Sequence, residues 1–166
     1  MSAIIVRRLL REEHALLREA RLDALRGAPD AFAETVEEAL ARDEAWWREL
    51  AASVTAPSVQ AAFVAEVDGR VVGMVFALED RMEHAMGRLG GLWVAPSVRR
   101  AGVGAALFSG VRDWARALGK RGIRLWAVAE SPGEALYRRV GFSTTGTERA
   151  FPGHESRRLK EWQLDL

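Results

Sequence analysis

Apolar residues that recur every three or four positions divide the chain into segments that predict amphipathic helices. These segments cover residues 12–26, 35–52, 103–118 and 133–140. The first ends at Gly27, and the second is expected to break near Asp43, whose carboxylate can cap a new turn. The third has its apolar face at Val103, Leu107, Val111, Trp114, Ala115 and Leu118.

Shorter runs of alternating or continuous apolar residues predict strands between these helices. The runs are residues 3–6, 63–67, 70–78, 88–94, 123–129, 142–147 and 157–166, and residues 53–60 form a Pro/Ser loop. Asp68 and Gly69 are a two-residue hairpin signal, while Gly90 and Gly91 predict a β-bulge or a close backbone approach. The order β-α-α-β-β-β-α-β-α-β-β predicts an α/β fold, a mixed sheet with helices on both faces.

Length and composition narrow the class of protein. The chain of 166 residues is long enough for one domain with a substantial core, spanning residues 1–166. Its 24 basic and 23 acidic residues nearly cancel, which argues against a nucleic-acid partner. It has no cysteine, and its three histidines are far apart, so no metal site is expected. Apolar runs stay well short of the roughly 18 residues of a membrane span, and the amino-terminal run is too short for a signal peptide, so we expect a cytoplasmic protein without a membrane partner.

Residues 92–107 carry the strongest chemical signal in the chain. An apolar strand leads through a Pro/Ser turn and two arginines to a Gly-Val-Gly step and then into the third helix. Free N–H groups at a helix start, together with the helix dipole, bind anions, and glycines let the backbone approach a phosphate closely. Arg99 and Arg100 add two guanidinium groups. The stretch predicts a site for a diphosphate-bearing ligand, although Leu107 replaces the third glycine of the dinucleotide fingerprint and the phosphate-loop pattern is absent.

Two motifs give the chain a resemblance to a known family. The run Arg99-Arg100-Ala101-Gly102-Val103-Gly104 resembles motif A of the GNAT acyltransferases, R/Q-x-x-G-x-G/A. The run A-L-Y-R-R-V-G-F at residues 135–142 is similar to a second element of that family, A-L-Y-x-x-x-G-F. The resemblance covers residues 60–147 well and the amino-terminal third loosely. It implies the GNAT fold, in which the strands before and after the third helix splay apart to receive the pantetheine arm of coenzyme A.

The resemblance implies an acetyl-CoA-dependent N-acetyltransferase and a role for each matching residue. Contacts to acetyl-CoA are expected from Leu92, Trp93, Val94, Arg99, Arg100, Ala101, Gly102, Val103, Gly104, Ala105 and Tyr137. The edge of residues 92–94 would pair with the pantetheine amides, and the N–H groups of residues 100–105 would bind the pyrophosphate. The N–H of Val94 is the expected oxyanion donor. Tyr137 is the expected general acid for the leaving thiolate, with a simple packed aromatic as the alternative.

The general base is the least defined catalytic role. Glu130 follows the strand at residues 123–129, at a position where many GNAT members carry an asparagine. Its carboxylate could be the base, a contact on the coenzyme side or a solvated loop group. Other candidates are Glu34, Glu37, Glu38, Glu79, Asp80, Glu83 and His84, and a chain of water molecules could replace a single base.

The acceptor is constrained more weakly. Residues 144–152 and 30–38 resemble a bacterial subgroup of small GNAT-like enzymes, which implies a small-molecule or peptide amine. Acidic residues within 34–49 slightly favour a cationic acceptor, but a solvated helix face explains them equally well. Trp46 and Trp47 indicate core packing, with only one of them fully buried, or an aromatic wall of the acceptor pocket. Trp162 is a candidate interface residue, and the carboxyl-terminal strands could support a homodimer.

Two other functions stay open. The chain could be a non-catalytic acyl-CoA sensor, although Tyr137 stands where catalysis would need it. It could also acetylate protein N-termini or lysines, which would require an open groove, whereas a small-molecule enzyme predicts a closed pocket formed with the amino-terminal helices.

Overall fold

The structure is a computed structural model of the chain, and it describes residues 2–56 and 59–166. Its strands are β1 (Ile4–Arg8), β2 (Ala61–Val67), β3 (Arg70–Glu79), β4 (Met86–Val94), β5 (Gly122–Val128), β6 (Ser143–Ala150) and β7 (Arg158–Asp165). Its helices are α1 (His14–Gly27), α2 (Val36–Leu40), α3 (Glu44–Val54), α4 (Val103–Ala117) and α5 (Gly133–Arg139). The predicted element order is confirmed, with the second helical segment divided into two helices. Pro57 and Ser58, in the predicted loop, lie outside the described residues.

Local signals set the helix boundaries. The second predicted helical segment divides into α2 and α3, and the Asp43 carboxylate accepts the N–H of Trp46 at 2.8 Å as the cap of α3. A reciprocal capping box between Thr35 and Glu38 starts α2. The predicted break in this segment is therefore confirmed.

The strands form one mixed sheet in the order β1-β2-β3-β4-β5-β7-β6. Strands β4 and β5 are its parallel pair within the described residues, and α4 makes the crossover between them. Strand β7 follows β6 along the chain but lies between β5 and β6, antiparallel to both.

Alternate strand residues point to opposite faces of the sheet, so each face has its own core. One face packs on α4, with Phe63, Leu107, Val111, Trp114 and Leu125 all buried. The opposite face packs on α1, α2 and α3, and its buried residues include Leu17, Leu25, Trp47, Val64 and Met74. Each large apolar side chain buried in this way contributes about 1.5–3 kcal/mol to folding.

The sheet opens in its middle. Strands β4 and β5 pair only from Met86 to Arg88 on β4, and the pairing then stops. A register shift against β3 places one extra residue on β4 near Gly91, whose φ is +60°. A Cβ at Gly91 would lie 2.7 Å from Cδ2 of Phe76, so the bulge needs a glycine. We call the gap between residues 89–94 of β4 and 125–128 of β5 the notch.

Two tryptophan predictions are settled by burial. Trp47 is buried, whereas Trp46 is only partly buried and lies edge-on to its neighbour, so the prediction that only one is fully buried is confirmed. Trp162 was a candidate interface residue, and that prediction is wrong because its side chain is 1% exposed and packs in the core next to α5. Over residues 2–56 and 59–166, no helix has the length and apolar character needed to cross a bilayer.

Candidate active site

The inner edge of β4 presents main-chain groups to the notch. The N–H of Ala95 donates to the carbonyl of Val72 on β3 at 2.8 Å. Successive N–H groups of an extended strand point to opposite edges, so the N–H of Val94 is directed away from β3 and into the notch. The carbonyl of Val94 points the same way and accepts the Nε–H of Arg99 at 3.2 Å. An N–H directed into a gap is the arrangement that an oxyanion donor requires.

Trp93 does not contribute to the notch in the same way. The alternation that turns Val94 inward turns the main chain of Trp93 toward its register partner Met74 on β3. The Trp93 side chain is buried on the α1 side of the sheet, where a Cβ at Gly27 would lie 3.5 Å from its indole nitrogen. Of the three β4 residues predicted to contact pantetheine, Trp93 is therefore the one whose main chain is turned away from the notch, whereas the alternation directs Val94 into it.

The loop between β4 and α4 exposes a set of main-chain donors. In the part of the chain that the structure describes, the N–H groups of Arg100, Gly102, Val103, Gly104 and Ala105 have no protein partner. Gly102 is the N-cap of α4 with φ +89°, and no side chain caps the helix. A Cβ at Gly102 would meet no atom within 4 Å, so the approach to these donors is open. This arrangement is typical of a phosphate site.

Two of the predicted pyrophosphate contacts have another structural role. The N–H of Ala101 donates to the carbonyl of Val98 at 3.3 Å, so it is not a free donor. At Gly104, a Cβ would lie 2.8 Å from Cδ2 of Leu136 on α5, so this glycine allows α4 and α5 to pack closely. Gly104 can still offer its N–H, but its missing side chain is explained by helix packing.

Tyr137 lies on α5, next to the aromatic core. Its ring centroid is 6.0 Å from that of Phe142 and 6.4 Å from that of Trp162, and a Cβ at Gly133 would touch its edge. Burial raises the pKa of Tyr137 to about 12. Among the described residues, its hydroxyl has no hydrogen-bond partner, and the raised pKa keeps the phenol protonated at neutral pH.

Glu130 is exposed, at the turn between β5 and α5, and its φ of +59° is unusual for a residue with a side chain. The structure gives its carboxylate no contact within residues 2–56 and 59–166. Its N–H donates to the carboxylate of Glu134 at 3.1 Å.

Glu134 is a residue that the sequence reasoning missed. It is buried in the first turn of α5, accepts from Arg138 at 3.0 Å and lies 3.7 Å from Lys160. By holding the N–H of Glu130, its carboxylate fixes the turn that leads into α5 and so positions Tyr137, three residues further on. An acidic residue in a first helical turn, four residues before an arginine, was the signal available in the sequence.

The other candidate bases are mostly engaged within the fold. Glu34 pairs with Arg21 at 3.0 Å, and the remaining partners are Glu38 with the N–H of Thr35, Glu79 with Lys120 and His84, and Glu83 with Arg121 and Arg124. Burial pushes the pKa of Asp80 upward, but the N–H of Met82 and the guanidinium of Arg88 outweigh it, so that pKa ends below its ordinary value. These contacts account for the acidic residues structurally.

Two loops meet on the side of the sheet opposite α4. Nε2 of His154, in the β6–β7 loop, lies 3.1 Å from the carbonyl of Phe32, in the segment after α1. The His154 ring stacks on Phe151 with centroids 4.3 Å apart. The Arg157 guanidinium lies 3.7 Å from the Asp30 carboxylate in the same pair of loops. This clasp joins the α1 side of the molecule to the carboxyl-terminal hairpin.

Comparison with known proteins gives a consistent family and fold. The model of the acetyltransferase (GNAT) family matches residues 17–142. An uncharacterised N-acetyltransferase of Methanocaldococcus jannaschii is 31% identical over 85 residues, which are 48% of this chain and only 38% of that relative. A GNAT-family acetyltransferase from Streptococcus pneumoniae has the same fold, with a TM-score of 0.83 at 18% identity over 99% of both chains. The yncA protein of Salmonella typhimurium, solved with its cofactor acetyl-CoA, has a TM-score of 0.79 at 19% identity over 99% of this chain and 95% of its own.

Proposed function

The chain belongs to the GNAT family of acetyltransferases, and we propose that it transfers an acetyl group from acetyl-CoA to a primary amine of a small molecule or peptide. The observation that carries the proposal is the notch with the free N–H of Val94, beside a loop of unpartnered N–H groups at the start of α4. Together they fit a ligand with a diphosphate at one end and an amide-bearing arm at the other.

The pyrophosphate of acetyl-CoA would bind at the loop. The N–H groups of Gly102, Val103, Gly104 and Ala105 are free in the described part of the chain, and the helix dipole adds to their attraction for an anion. The exposed guanidinium of Arg100 is available for a charge-assisted contact. Arg99 instead donates to the carbonyl of Val94, and we expect it to release that carbonyl when the pantetheine arm enters the notch.

The reaction requires no oxidant or reductant. The lone pair of the acceptor nitrogen forms a bond to the thioester carbonyl carbon, and the negative charge on the carbonyl oxygen is stabilised by the N–H of Val94. The carbon–sulfur bond then breaks, and the thiolate takes the proton of the Tyr137 hydroxyl, which gives an N-acetyl amine and free coenzyme A. The nitrogen loses one proton to a base, for which Glu130 stays the proposed residue, directly or through water.

The free hydroxyl of Tyr137 supports this assignment, because it is not held by another group of the described residues. The raised pKa keeps the phenol protonated and also makes it a weaker acid than an ordinary tyrosine. The clasp between the β6–β7 loop and the segment after α1 supports a small acceptor over an extended protein substrate. A non-catalytic sensor of acyl-CoA would use the same loop and notch but release no thiol. We also expect the protein to work in the cytoplasm.

The test combines binding and turnover. Isothermal titration of acetyl-CoA should show one site per chain, and incubation of acetyl-CoA with a panel of amines should release free thiol and add 42 Da to an acceptor, about the mass of an acetyl group replacing hydrogen. Binding without thiol release for any amine would favour the sensor. Absence of binding at millimolar acetyl-CoA would reject both readings.

A further inference from the structure

Because the proposed pyrophosphate site is at the start of α4, on one face of the sheet, the opposite face is left for an acceptor to reach the notch. The last paired residues of β4 and β5 are Arg88 and Arg124. Two residues further along β5 is Trp126, at the level where β4 has already turned away. In the β5–β7 register Trp126 is opposite Glu161, and paired residues share a face, so both lie on this side of the sheet. We call this surface, formed by Trp126, Glu161 and Arg149, the acceptor face.

Arg149 enters this face from β6. Its register partner on β7 is Leu159, which packs with Val128 next to Trp126. The Arg149 guanidinium carbon lies 4.2 Å from the centroid of the Trp126 ring, within the range of a cation–π contact. The indole therefore holds a planar guanidinium beside the notch, with its N–H donors in the geometry that suits a carboxylate.

The charges around Trp126 are otherwise paired. Arg88, 5.9 Å from the same ring centroid, donates to Asp80 at 2.6 Å and to Glu161 at 3.2 Å. Arg21, near the bulge, is held by Glu34 at 3.0 Å. Within residues 2–56 and 59–166, Arg149 makes no ion pair, so the acceptor face carries one uncommitted positive charge. Glu161 accepts from the Thr145 hydroxyl at 3.3 Å and shares Arg88 with Asp80, so two carboxylates face one guanidinium at this point and negative charge is in excess.

We infer that the acceptor is an amine that carries a carboxylate a few bonds from its nitrogen, as an amino acid does, with the carboxylate bound by Arg149 on Trp126. The inference rests on the proposed acetyl transfer and specifies its substrate class. The surplus charge of Glu161 suits the ammonium of the same zwitterion before it loses its proton. A polyamine would instead bring a second ammonium toward Arg149, at an electrostatic cost.

Two of the acidic residues of the amino-terminal segment are already paired with cations. Glu34 is neutralised by Arg21, and Glu44 pairs with Arg48 at 2.5 Å and with His14 at 3.3 Å. These two carboxylates therefore offer no unpaired negative charge to a cationic acceptor.

The experiment measures kcat/KM for pairs of acceptors that differ only in the carboxylate: leucine and isoamylamine, phenylalanine and phenethylamine, lysine and cadaverine. Coenzyme A release is followed with saturating acetyl-CoA. The wild-type protein should favour the carboxylate member of at least one pair by about 10- to 100-fold, the usual effect of one charge-assisted hydrogen bond. Arg149→Ala should lower kcat/KM for that amino acid by a similar factor and leave the value for its decarboxylated partner within about threefold.

Arg158→Ala is the matched control. Arg158 is exposed on the neighbouring strand, pairs with Glu148 at 3.0 Å and lies on the opposite face of the same hairpin, so its loss should change neither rate. A preference for the decarboxylated amines, or an equal loss for both members of a pair in Arg149→Ala with unchanged melting temperature, would overturn the inference and leave acetyl transfer standing. If no amine of either kind supports thiol release, the proposed acetyl transfer is rejected, and the substrate class is rejected with it.

Discussion

Alanine substitutions at the two ends of α4 can separate an effect on folding from an effect on ligand binding. Gly102 and Gly119 lie at opposite ends of this helix, with φ values of +89° and +67°. A Cβ at either position would meet no atom within 4 Å. Alanine at either site therefore introduces backbone strain without a steric clash, but only at Gly102 does the new methyl group stand beside the free N–H groups of the loop.

The expected magnitudes follow from this geometry. Placing a residue with a Cβ in the left-handed region costs about 1–2 kcal/mol, so each variant should melt roughly 2–8 °C below the wild type. If the methyl group in Gly102→Ala pushes the pyrophosphate away from one N–H, the loss is about 1.5–3 kcal/mol of binding, or roughly 10- to 150-fold in Kd. Gly119→Ala should bind acetyl-CoA with wild-type affinity.

The assay is isothermal titration with acetyl-CoA at a temperature where all three proteins are folded, with thermal unfolding measured alongside. Equal Kd values for the two alanine variants would refute the assignment of the pyrophosphate to this loop. A Kd that rises in both variants would show that strain in α4, and not the approach to its first turn, controls binding.

Three further perturbations test other parts of the site. Tyr137→Phe should lower kcat about 100-fold with little change in acetyl-CoA affinity, and since the phenol has a pKa of about 12, wild-type kcat should show no loss of the acid between pH 8 and 10; a variant with normal kcat would exclude the acid role. Gly91→Ala should destabilise the protein more than Gly90→Ala, because its Cβ would lie 2.7 Å from an aromatic ring whereas the Gly90 Cβ has its nearest neighbour at 3.5 Å; equal urea midpoints would contradict the bulge. Asp80→Asn should cost about 3 kcal/mol at pH 7 by leaving Arg88 without its nearest carboxylate. Because the folded-state pKa of Asp80 is depressed, its contribution is present above the unfolded-state pKa and is lost as pH falls through the lower folded-state pKa, so the difference in stability between wild type and variant should shrink over that acid range.

Much of the fold could be predicted from periodicity. The apolar face of α4 is buried at Val103, Leu107 and Val111, as the helical spacing requires, and the bulge lies at Gly91, in the pair of glycines that predicted it. These features are local, since spacing and glycine placement act within one element. The strand order of the carboxyl-terminal half is not local, and nothing in the run of apolar residues indicates that β7 lies between β5 and β6.

Side-chain roles that depend on packing were harder to predict. Gly104 reads as part of an anion loop, but the reason for its missing Cβ lies on α5, in Leu136. Trp162 has charged neighbours in the sequence and is nevertheless buried, because alternation along β7 turns it into the core. Arg149 acquires its significance only from Trp126 on another strand, so the sequence around it could not single it out.

The notch is, in physical terms, an unpaired strand edge, and such edges commonly recruit strands from other proteins. Here the edge faces the interior of the sheet, because β4 is paired on its far side with β3 and β5 with β7. A foreign strand that belongs to its own sheet is too broad to enter between two such walls. A single extended chain with amides along it is narrow enough to fit between them, so the free backbone groups of the notch suit a thin amide-bearing ligand better than the edge of another sheet.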